Sequence, residues 1–522
     1  MMDTSSINIM STADLSQYQW VPIFSTVVAF FCAFGIGSDY DWISYSIGAN
    51  DVANAFGTSV GAKAITMKNA MVIAGIFEFL GSFLMGSNVT ETIQKGISDP
   101  MMFKDEPETL MFGMCCVLIG VAAWLIIATL YSLPVSTTHS CIGGLVGMAL
   151  VAKGPKAVKW NEIAKVIASW FVSPVLSGLL TVFLFWIVRK YILRSNDSFK
   201  NAFRFYPIII GFTLFVLAYF MMNKGIPQLD LGLPWYLNIL IAIAIGVALA
   251  LILTYTAVPY LKKRIEKEMK LESETAGTTI SIPIDTPKDV EMKDMTQTEG
   301  PDQQKAVPVE TSTVEQPKKE VNTITHQNIH AELSDEKSKV YQIHQRAEKF
   351  DPHTERIFSY LQVLTATLNS FAHGANDVAN SIGPLASIIA IYNNNGITEN
   401  AGVDTWVLVV GGVGIVVGLA CLGYKVMAAI GVNMVTVTPS RGFAIEIGSA
   451  FVIVTGSQLG LPLSTTHCQV GSTVGVGMME GKGSVNWKLV FQVFVGWVVT
   501  LLVCGLTTAG IFAFGMYSPS KF

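Results

Sequence analysis

The chain carries little charge for its length. Only 14% of its 522 residues are Asp, Glu, Lys or Arg, against roughly a quarter in an average soluble domain. Of its 34 basic and 38 acidic residues, nearly half lie between Lys262 and Arg356. The rest of the chain is apolar enough to exclude a soluble enzyme and to indicate a lipid bilayer as its surroundings.

A surplus of positive charge is also absent. The formal net charge is -4, and no stripe of Lys and Arg with interleaved aromatic residues is present, so nucleic acid is excluded as a partner. The 7 cysteines lie in apolar runs without the spacing of a zinc site or a disulfide framework, so we expect them to be packing residues. The first twenty residues also lack the basic start of a cleavable signal peptide.

Twelve runs are long and apolar enough to be membrane spans. Seven precede the charged block and five follow it: 21–37, 70–86, 110–130, 136–152, 163–188, 206–222, 235–260, 357–391, 406–424, 442–459, 464–479 and 489–517. The sequence therefore predicts an all-α integral membrane protein with about twelve transmembrane helices.

The charged block 262–356 is rich in Glu, Lys, Thr, Gln and Pro and shows no apolar periodicity, which predicts disorder. Its first basic residues follow span seven, and Lys and Arg beside a span mark the cytoplasmic side. Counting spans from this point places segments 1–20 and 518–522 outside and the loop 262–356 in the cytoplasm. Asn88, in the sequence Asn-Val-Thr, falls outside and is a candidate for N-glycosylation.

Two motifs occur twice and in the same order. Gly48-Ala-Asn-Asp-Val-Ala-Asn54 recurs at 374–380, and Leu133-Pro-Val-Ser-Thr-Thr-His139 recurs at 461–467 with one Val-to-Leu difference. Duplication of this kind divides the chain into two copies of one unit. We assign residues 21–188 to the first repeat, 189–261 to two connecting spans and 357–517 to the second repeat.

The predicted spans give the two repeats opposite directions. The first motif lies on span one and its copy on span eight, seven crossings later, so the repeats are inverted. Inverted repeats with broken helices are the architecture of many secondary transporters, which bind their substrate near the bilayer midplane. We expect helix breaks at both pairs of motifs.

The two motifs suit ions of opposite charge. Pro134 and Pro462 fit the first turn of a helix, where free backbone N–H groups and the following Ser-Thr-Thr hydroxyls favour an anion. The Gly-Ala-Asn-Asp stretch offers carboxylate and amide oxygens, which are ligands for a small hard cation. The sequence thus predicts an anion site and a site for a coupling cation.

Four acids stand inside apolar runs: Asp51, Glu78, Asp377 and Glu446. A carboxylate at mid-membrane costs at least about 2.5 kcal/mol, so we expect Asp51 and Asp377 to be functional. For Glu78 and Glu446 a function and a structural pairing both remain open. His139 and His467 either donate to the anion or bond to neighbouring carbonyls, and they lack the nearby Cys or carboxylate of a soft metal site. His373 aligns with Ile47 in the repeat, so symmetry does not support it as a ligand.

The duplicated motifs resemble those of the inorganic phosphate transporter (PiT) family of sodium- or proton-coupled phosphate symporters. The resemblance covers both membrane halves, and the eukaryotic members are similar in their long cytoplasmic loop and glycosylated outer loop. It implies uptake of phosphate, or its analogue arsenate, with sodium or protons as the driving ion and no cofactor. A plasma-membrane location is expected, and a homodimer remains open.

The resemblance also implies roles for individual residues. Phosphate would be held by Ser136, Thr137, Thr138, Ser464, Thr465 and Thr466, with Asp51 and Asp377 in contact. Sodium would be bound by Asn50, Asp51, Asn54, Asn376, Asp377 and Asn380, and no other metal is expected. Glu78 and Glu446 resemble further intramembrane acids of the family.

One segment departs from the family pattern. Residues 38–48 separate Phe34-Gly-Ile-Gly37 from Ala49, where family members continue directly. This eleven-residue insertion contains Asp39 and Asp41, which are costly in hydrocarbon. We expect it to lengthen span one and to disturb the register of Asn50 and Asp51.

Three other functions share some of these features. A phosphate exporter or channel and a phosphate-sensing receptor would use the same site. An intramembrane aspartyl protease would use two aspartates, but it would leave the duplicated Ser-Thr-Thr motif without a role. Phosphate is favoured over sulfate because its protons can satisfy a buried carboxylate, whereas sulfate would meet that carboxylate as repulsion only.

Overall fold

The computed structural model describes residues 15–34, 47–97, 99–131, 133–224, 233–278, 333, 335–398, 402–458 and 463–518. Within these ranges it contains fifteen α-helices and no strand longer than the isolated bridge between Val435 and Val485. The prediction of an all-helical protein is therefore confirmed for the described residues. The helices are α1 Trp20–Phe34, α2 Ile47–Gly61, α3 Met67–Gly96, α4 Pro107–Leu130, α5 Thr137–Lys153, α6 Trp160–Val188, α7 Ser198–Lys224, α8 Trp235–Thr278, α9 Lys339–Arg346, α10 Pro352–Asp377, α11 Ala379–Asn393, α12 Thr405–Ala428, α13 Pro439–Gln458, α14 Thr465–Met479 and α15 Trp487–Tyr517.

Six of the described helices are long and apolar enough to cross a membrane by length and composition. They comprise parts or all of α3, α4, α6, α7, α8 and α15. The other predicted spans correspond to shorter helices such as α5 and α14, or to helices with polar sequence such as α10. Short and polar helices are expected where a transporter builds its binding site, and the count of twelve stays a prediction.

Helices at equivalent places in the two sequence repeats pack in a reciprocal manner. The α2 helix packs on α12 and α10 packs on α3, while α5 packs on α15 and α14 packs on α6. In each pair, one helix comes from the first repeat and the other from the second. The two halves are therefore intertwined, and each of the two large hydrophobic clusters contains residues of both repeats.

In each repeat, a backbone hydrogen bond joins the same two loops. In the first repeat the N–H of Lys159 donates to the carbonyl of Ile97 over 3.0 Å. In the second the N–H of Asn486 donates to the carbonyl of Met434 over 2.9 Å. In each repeat, the loop that follows the third helix (α3 or α12) is thus hydrogen-bonded to the loop that follows the short fifth helix (α5 or α14).

Glycines allow the closest of the reciprocal crossings. A Cβ on Gly147 of α5 would overlap the backbone of Gly505 on α15, and a Cβ on Gly475 of α14 would lie 2.8 Å from the carbonyl oxygen of Gly178 on α6. These two contacts occupy equivalent positions in the repeats. Backbone-to-backbone approach of this kind holds helix pairs together in membranes, where apolar surface alone gives little driving force.

The first motif lies at the start of α2, and α1 is described as far as Phe34. Residues 35–46, which include most of the insertion, lie outside the described residues. The predicted lengthening of span one and the predicted change of register at Asn50 and Asp51 therefore stay predictions.

The segment 262–356 is helical at both described ends, while 279–332 lie outside the described residues, so the disorder predicted for most of the segment stays a prediction. The α8 helix continues to Thr278, with an ion pair from Arg264 to Glu268 one turn away. The α9 helix and the first turn of α10 occupy the other end. In α9 the buried side chains of Val340 and Ile343 lie one turn apart, an apolar pair too short to register as periodicity.

The segment before α10 is held to the bundle by a buried ionic cluster. Arg441 is fully buried and contacts Glu480 over 3.0 Å, and it also donates to the carbonyl of Glu348 over 2.8 Å. Arg189 and Arg194 both pair with the Glu348 carboxylate. Hydrogen bonds from Arg194 and Arg189 hold the pKa of Glu348 below its usual value. The cluster joins the end of α6 to the second repeat.

The glycine crossings lead to a stability prediction. Gly147→Ala and Gly471→Ala should each lower the stability of the folded protein by about 1–3 kcal/mol, because the new Cβ would meet backbone atoms of α15 or α6 that cannot move aside. Gly396→Ala is the matched control, since a Cβ there has no atom within 4 Å. Thermal unfolding in detergent followed by size-exclusion chromatography measures the effect. Equal stability of all three variants would contradict the packing described.

Candidate functional site

Two aspartates from the duplicated motif face one histidine. Asp51 lies on α2 and Asp377 ends α10, and both carboxylates are fully buried. The Nε2 atom of His373 lies 2.8 Å from Asp377 and 3.7 Å from Asp51. The imidazole therefore lies between the two copies of the motif.

Glu78 adds a third acid to this cluster. Its carboxylate, fully buried on α3, is hydrogen-bonded to Nδ1 of His373 over 2.7 Å. Three carboxyl groups thus share one imidazole in the interior. If all three are ionised, the cluster stays negative even when His373 is charged, and bound cations would supply the compensation.

Repeat symmetry does not predict His373 as a ligand, because its repeat mate is an isoleucine, Ile47. The available signal was its place one helical turn before Asp377, on the same helix face. Its other partners, Glu78 and Asp51, are about 300 residues away in the chain. Repeat symmetry could not reveal these contacts, because the first repeat has no equivalent histidine and His373 alone contacts aspartates of both repeats.

The amides of the motif cross over to the Ser-Thr-Thr motif of the other repeat. Asn54 donates to Thr466 over 2.9 Å, and Asn380 donates to Thr138 over 3.2 Å. Thr138 and Thr466 are equivalent residues of the repeat, as are Asn54 and Asn380. Each copy of the first motif is therefore anchored on the second motif of the opposite copy.

The same residues connect to the two aspartates. Asn54 donates to Asp51 over 3.0 Å and Asn380 donates to Asp377 over 3.2 Å. The hydroxyl of Thr465 also donates to Asp377 over 2.8 Å. The acid cluster, the amides and the Ser-Thr-Thr hydroxyls form one continuous polar network.

Several oxygens in this network lack a hydrogen-bond partner among the described residues. They include the side-chain carbonyls of Asn54 and Asn380, which are equivalent in the repeat, and one carboxylate oxygen of Asp51. Buried acceptors are rarely left unpaired in proteins. Their equivalent positions beside the two aspartates suit two sets of hard oxygen ligands for small cations.

Asn50 and Asn376, which precede the aspartates, differ in their surroundings. Asn50 donates to Leu133 and accepts from the N–H of Val135, at 2.9 and 3.1 Å. Asn376 donates to Asp377 over 3.2 Å. Asn50 thus contacts the segment that enters α5, whereas Asn376 adjoins the acid cluster.

Both Ser-Thr-Thr motifs stand at helix N-termini. Ser136 is the N-cap of α5, where its hydroxyl accepts from the N–H of His139 over 3.3 Å, and Ser464 is the N-cap of α14. The first N–H groups of a helix have no partner within that helix, and the helix dipole favours an anion beside them. Thr137, Thr138, Thr465 and Thr466 are buried in the first turns. Two helix N-termini thus meet at the polar network.

Glu446 lies in a separate buried pocket of neutral donors. Its carboxylate accepts hydrogen bonds from Thr58, Ser59 and Thr365 at 2.6–2.7 Å and from Gln362 at 3.2 Å. These donors come from α2 and α10. Glu446 on α13 is thus connected to both helices that carry the aspartates, but it is not paired with Glu78.

His139 and His467 contact each other and tryptophans. Their ring centroids are 4.7 Å apart, and Trp170 donates to His139 over 3.0 Å. Asn88 lies within the range of α3, but its side chain lies outside the described residues. The six described cysteines are buried, and none of them forms a disulfide with another described residue.

Comparison with known proteins assigns this chain to a protein family. Residues 47–508 match the model of the phosphate transporter family. The chain is 34% identical to a putative phosphate permease of Haemophilus influenzae, over 93% of this chain and 95% of that protein. It is 31% identical to human sodium-dependent phosphate transporter 2, over 89% and 94% of the two chains.

A solved structure supports the same relationship. The structure named "The sodium-dependent phosphate transporter" aligns with a TM-score of 0.70 at 30% identity, covering 94% of this chain and 98% of that one. The family model spans both motif pairs and all four buried acids. This chain belongs to the phosphate transporter family.

Proposed function

We propose that the chain is a symporter that takes up inorganic phosphate coupled to sodium, by alternating access of the site between the two sides of the membrane. The observation that carries this proposal is the polar network in which two aspartates, two amides and two helix N-termini meet inside an apolar bundle. Relatives named as sodium-dependent phosphate transporters align with this chain over nearly all of its length. Membership in a transporter family excludes the aspartyl protease alternative.

Phosphate binds between the N-termini of α5 and α14 in this proposal. The candidate ligands are Ser136, Thr137, Thr138, Ser464, Thr465 and Thr466, with backbone N–H groups of the first turns. A protonated phosphate, or arsenate in its place, donates to Asp51 or Asp377. Sulfate has no proton to donate at neutral pH, so the acid cluster repels it.

Sodium binds at two equivalent places, one beside each aspartate. Asp51 with Asn54 and Asp377 with Asn380 supply the oxygens, and the unpaired amide carbonyls support this assignment. Asn376 lies close enough to join the second set, and Asn50 positions the entrance to α5. Bound sodium lowers the repulsion between the acids and the phosphate, and each ion raises the affinity for the other by the same factor.

Alternating access follows from the arrangement of the repeats. Twelve spans in two inverted repeats would place the polar network near the midplane, and the units that move against each other would be helix pairs that each contain one helix from both repeats. In this arrangement both termini are extracellular, Asn88 is an outer glycosylation site and 262–356 is a cytoplasmic loop of a plasma-membrane protein. The basic residues at the end of α8 support the cytoplasmic assignment. A homodimer is the proposed assembly.

The driving ion is tested by radiolabelled phosphate uptake into proteoliposomes. An inward sodium gradient should drive saturable phosphate uptake, because the network offers two sets of oxygen ligands for sodium. An inward proton gradient of equal size should not drive uptake. Vesicles without a gradient are the control. Uptake driven by the proton gradient alone would show that protons, and not sodium, are the coupling ion. Uptake independent of both gradients would indicate a channel.

The two aspartates are tested by neutral variants. Asp51→Asn and Asp377→Asn should each lower sodium-driven uptake by about 100-fold or more, since each removes a charge that the bound cation compensates. Asp404→Asn, at an exposed position before α12, is the matched control and should keep normal uptake. Chromatography must show that all three variants fold. Normal uptake by either site variant would refute the assignment.

His373 is tested by a double-mutant cycle on stability. His373→Ala should destabilise the protein by about 3–5 kcal/mol, because removing one partner leaves buried acids uncompensated. Glu78→Gln combined with His373→Ala should recover part of that loss. Thermal unfolding of the two single variants, the double variant and the parent gives the coupling. Additive losses would show that the histidine and Glu78 do not interact.

A further inference from the structure

Two histidines and two tryptophans form a cluster behind the proposed phosphate site, in which Trp170 is partly buried and the other three side chains are buried. His139 and His467 occupy equivalent places in the first turns of α5 and α14 and face each other. Trp170 of α6 and Trp497 of α15 are also equivalent in the repeat. Their ring centroids lie 5.4 Å from His139 and 3.7 Å from His467, respectively.

Only one of the two equivalent hydrogen bonds in this cluster is formed. The indole N–H of Trp170 donates to Nε2 of His139 over 3.0 Å. The indole N–H of Trp497 and both ring nitrogens of His467 have no partner within the described ranges, although both residues are buried. The sequence of the repeat is symmetric here, whereas the bonding is not.

Each histidine lies on a helix that packs closely against the helix carrying the tryptophan of the other pair. Gly143 and Gly147 bring α5 against the backbone of α15, so His139 and Trp497 belong to one closely packed helix pair. Gly471 and Gly475 bring α14 against α6, so His467 and Trp170 belong to the other. Each His–Trp pair therefore joins one helix pair to the other.

We propose that the two His–Trp pairs exchange this hydrogen bond when the site changes from one side of the membrane to the other. The proposal rests on the alternating access proposed above. Inverted repeats reach their second state by exchanging conformations, so the second state forms the bond from Trp497 to His467 and breaks that from Trp170 to His139. Each state has one bond and one unpaired indole, which keeps the two states close in energy.

This exchange makes the four residues positioning residues for the phosphate site. His139 and His467 follow directly after the Thr pairs at the helix N-termini. A relative movement of the two helix pairs therefore moves the two anion-binding turns against each other. The cluster fixes two defined positions for these turns instead of a continuous range.

The test compares two equivalent substitutions. Trp170→Phe removes the bond of the present state and Trp497→Phe removes the bond of the opposite state. The two states are monitored by electron–electron distance measurements between spin labels at Lys165→Cys on α6 and Phe514→Cys on α15, in nanodiscs with sodium but without phosphate. Lys165 and Phe514 are exposed, and they report on opposite helix pairs.

The expected result is a pair of opposite shifts. Loss of one net hydrogen bond should change the ratio of the two distance populations by roughly two- to tenfold. Trp170→Phe should lower the population of the state described here and Trp497→Phe should raise it. The double variant has lost both bonds and should return to the ratio of the parent. A purely structural role would not give opposite signs or this recovery.

Control variants keep the test decisive. If either tryptophan variant fails to fold, His139→Phe should shift the ratio in the direction of Trp170→Phe, and His467→Phe in the direction of Trp497→Phe. Shifts of the same sign, or an unchanged ratio in all variants, would overturn the exchange. Phosphate uptake by the unlabelled parent is measured separately, so failure of the transport function is distinguishable from failure of the exchange.

Discussion

Burial of the carboxyl groups of Asp51, Asp377 and Glu78 is the constraint on which the rest of the site depends. Each is fully enclosed by helices, and an ionised carboxylate in such surroundings is expensive unless it is paired and hydrogen-bonded. His373 meets all three, and Asn and Thr side chains donate to the two aspartates. One oxygen each of Asp51 and Glu78 has no hydrogen-bond partner among the described residues. The helices α3 and α10 and the N-termini of α5 and α14 meet at these acids.

The central features of the site could be predicted from the sequence because they are duplicated. The motif aspartates, the Ser-Thr-Thr segments at helix N-termini and the helical class all follow from local pattern and repetition. His373 was missed because it is a single residue that serves both repeats. The contacts of Asn50 were missed as well, since they depend on how the chain enters α5 about eighty residues later.

The charged segment shows a different limit of sequence analysis. Composition predicts disorder over 262–356, but the two described ends are helical because of contacts that composition does not reveal. Residues of α8 pair charges along one face, and Arg441 binds the chain before α10 from another part of the bundle. Boundaries of such segments are set by partners that are distant in sequence.

The crossed pairing of Asn54 with Thr466 and Asn380 with Thr138 has a consequence for a single copy of the repeat. A single unit would keep the hydrogen bond from its amide to its own aspartate, but it would lose the hydrogen bond between amide and threonine, because that partner lies in the other copy. Both crossed bonds therefore require two copies of the unit packed against each other, so one copy alone cannot build the complete polar network.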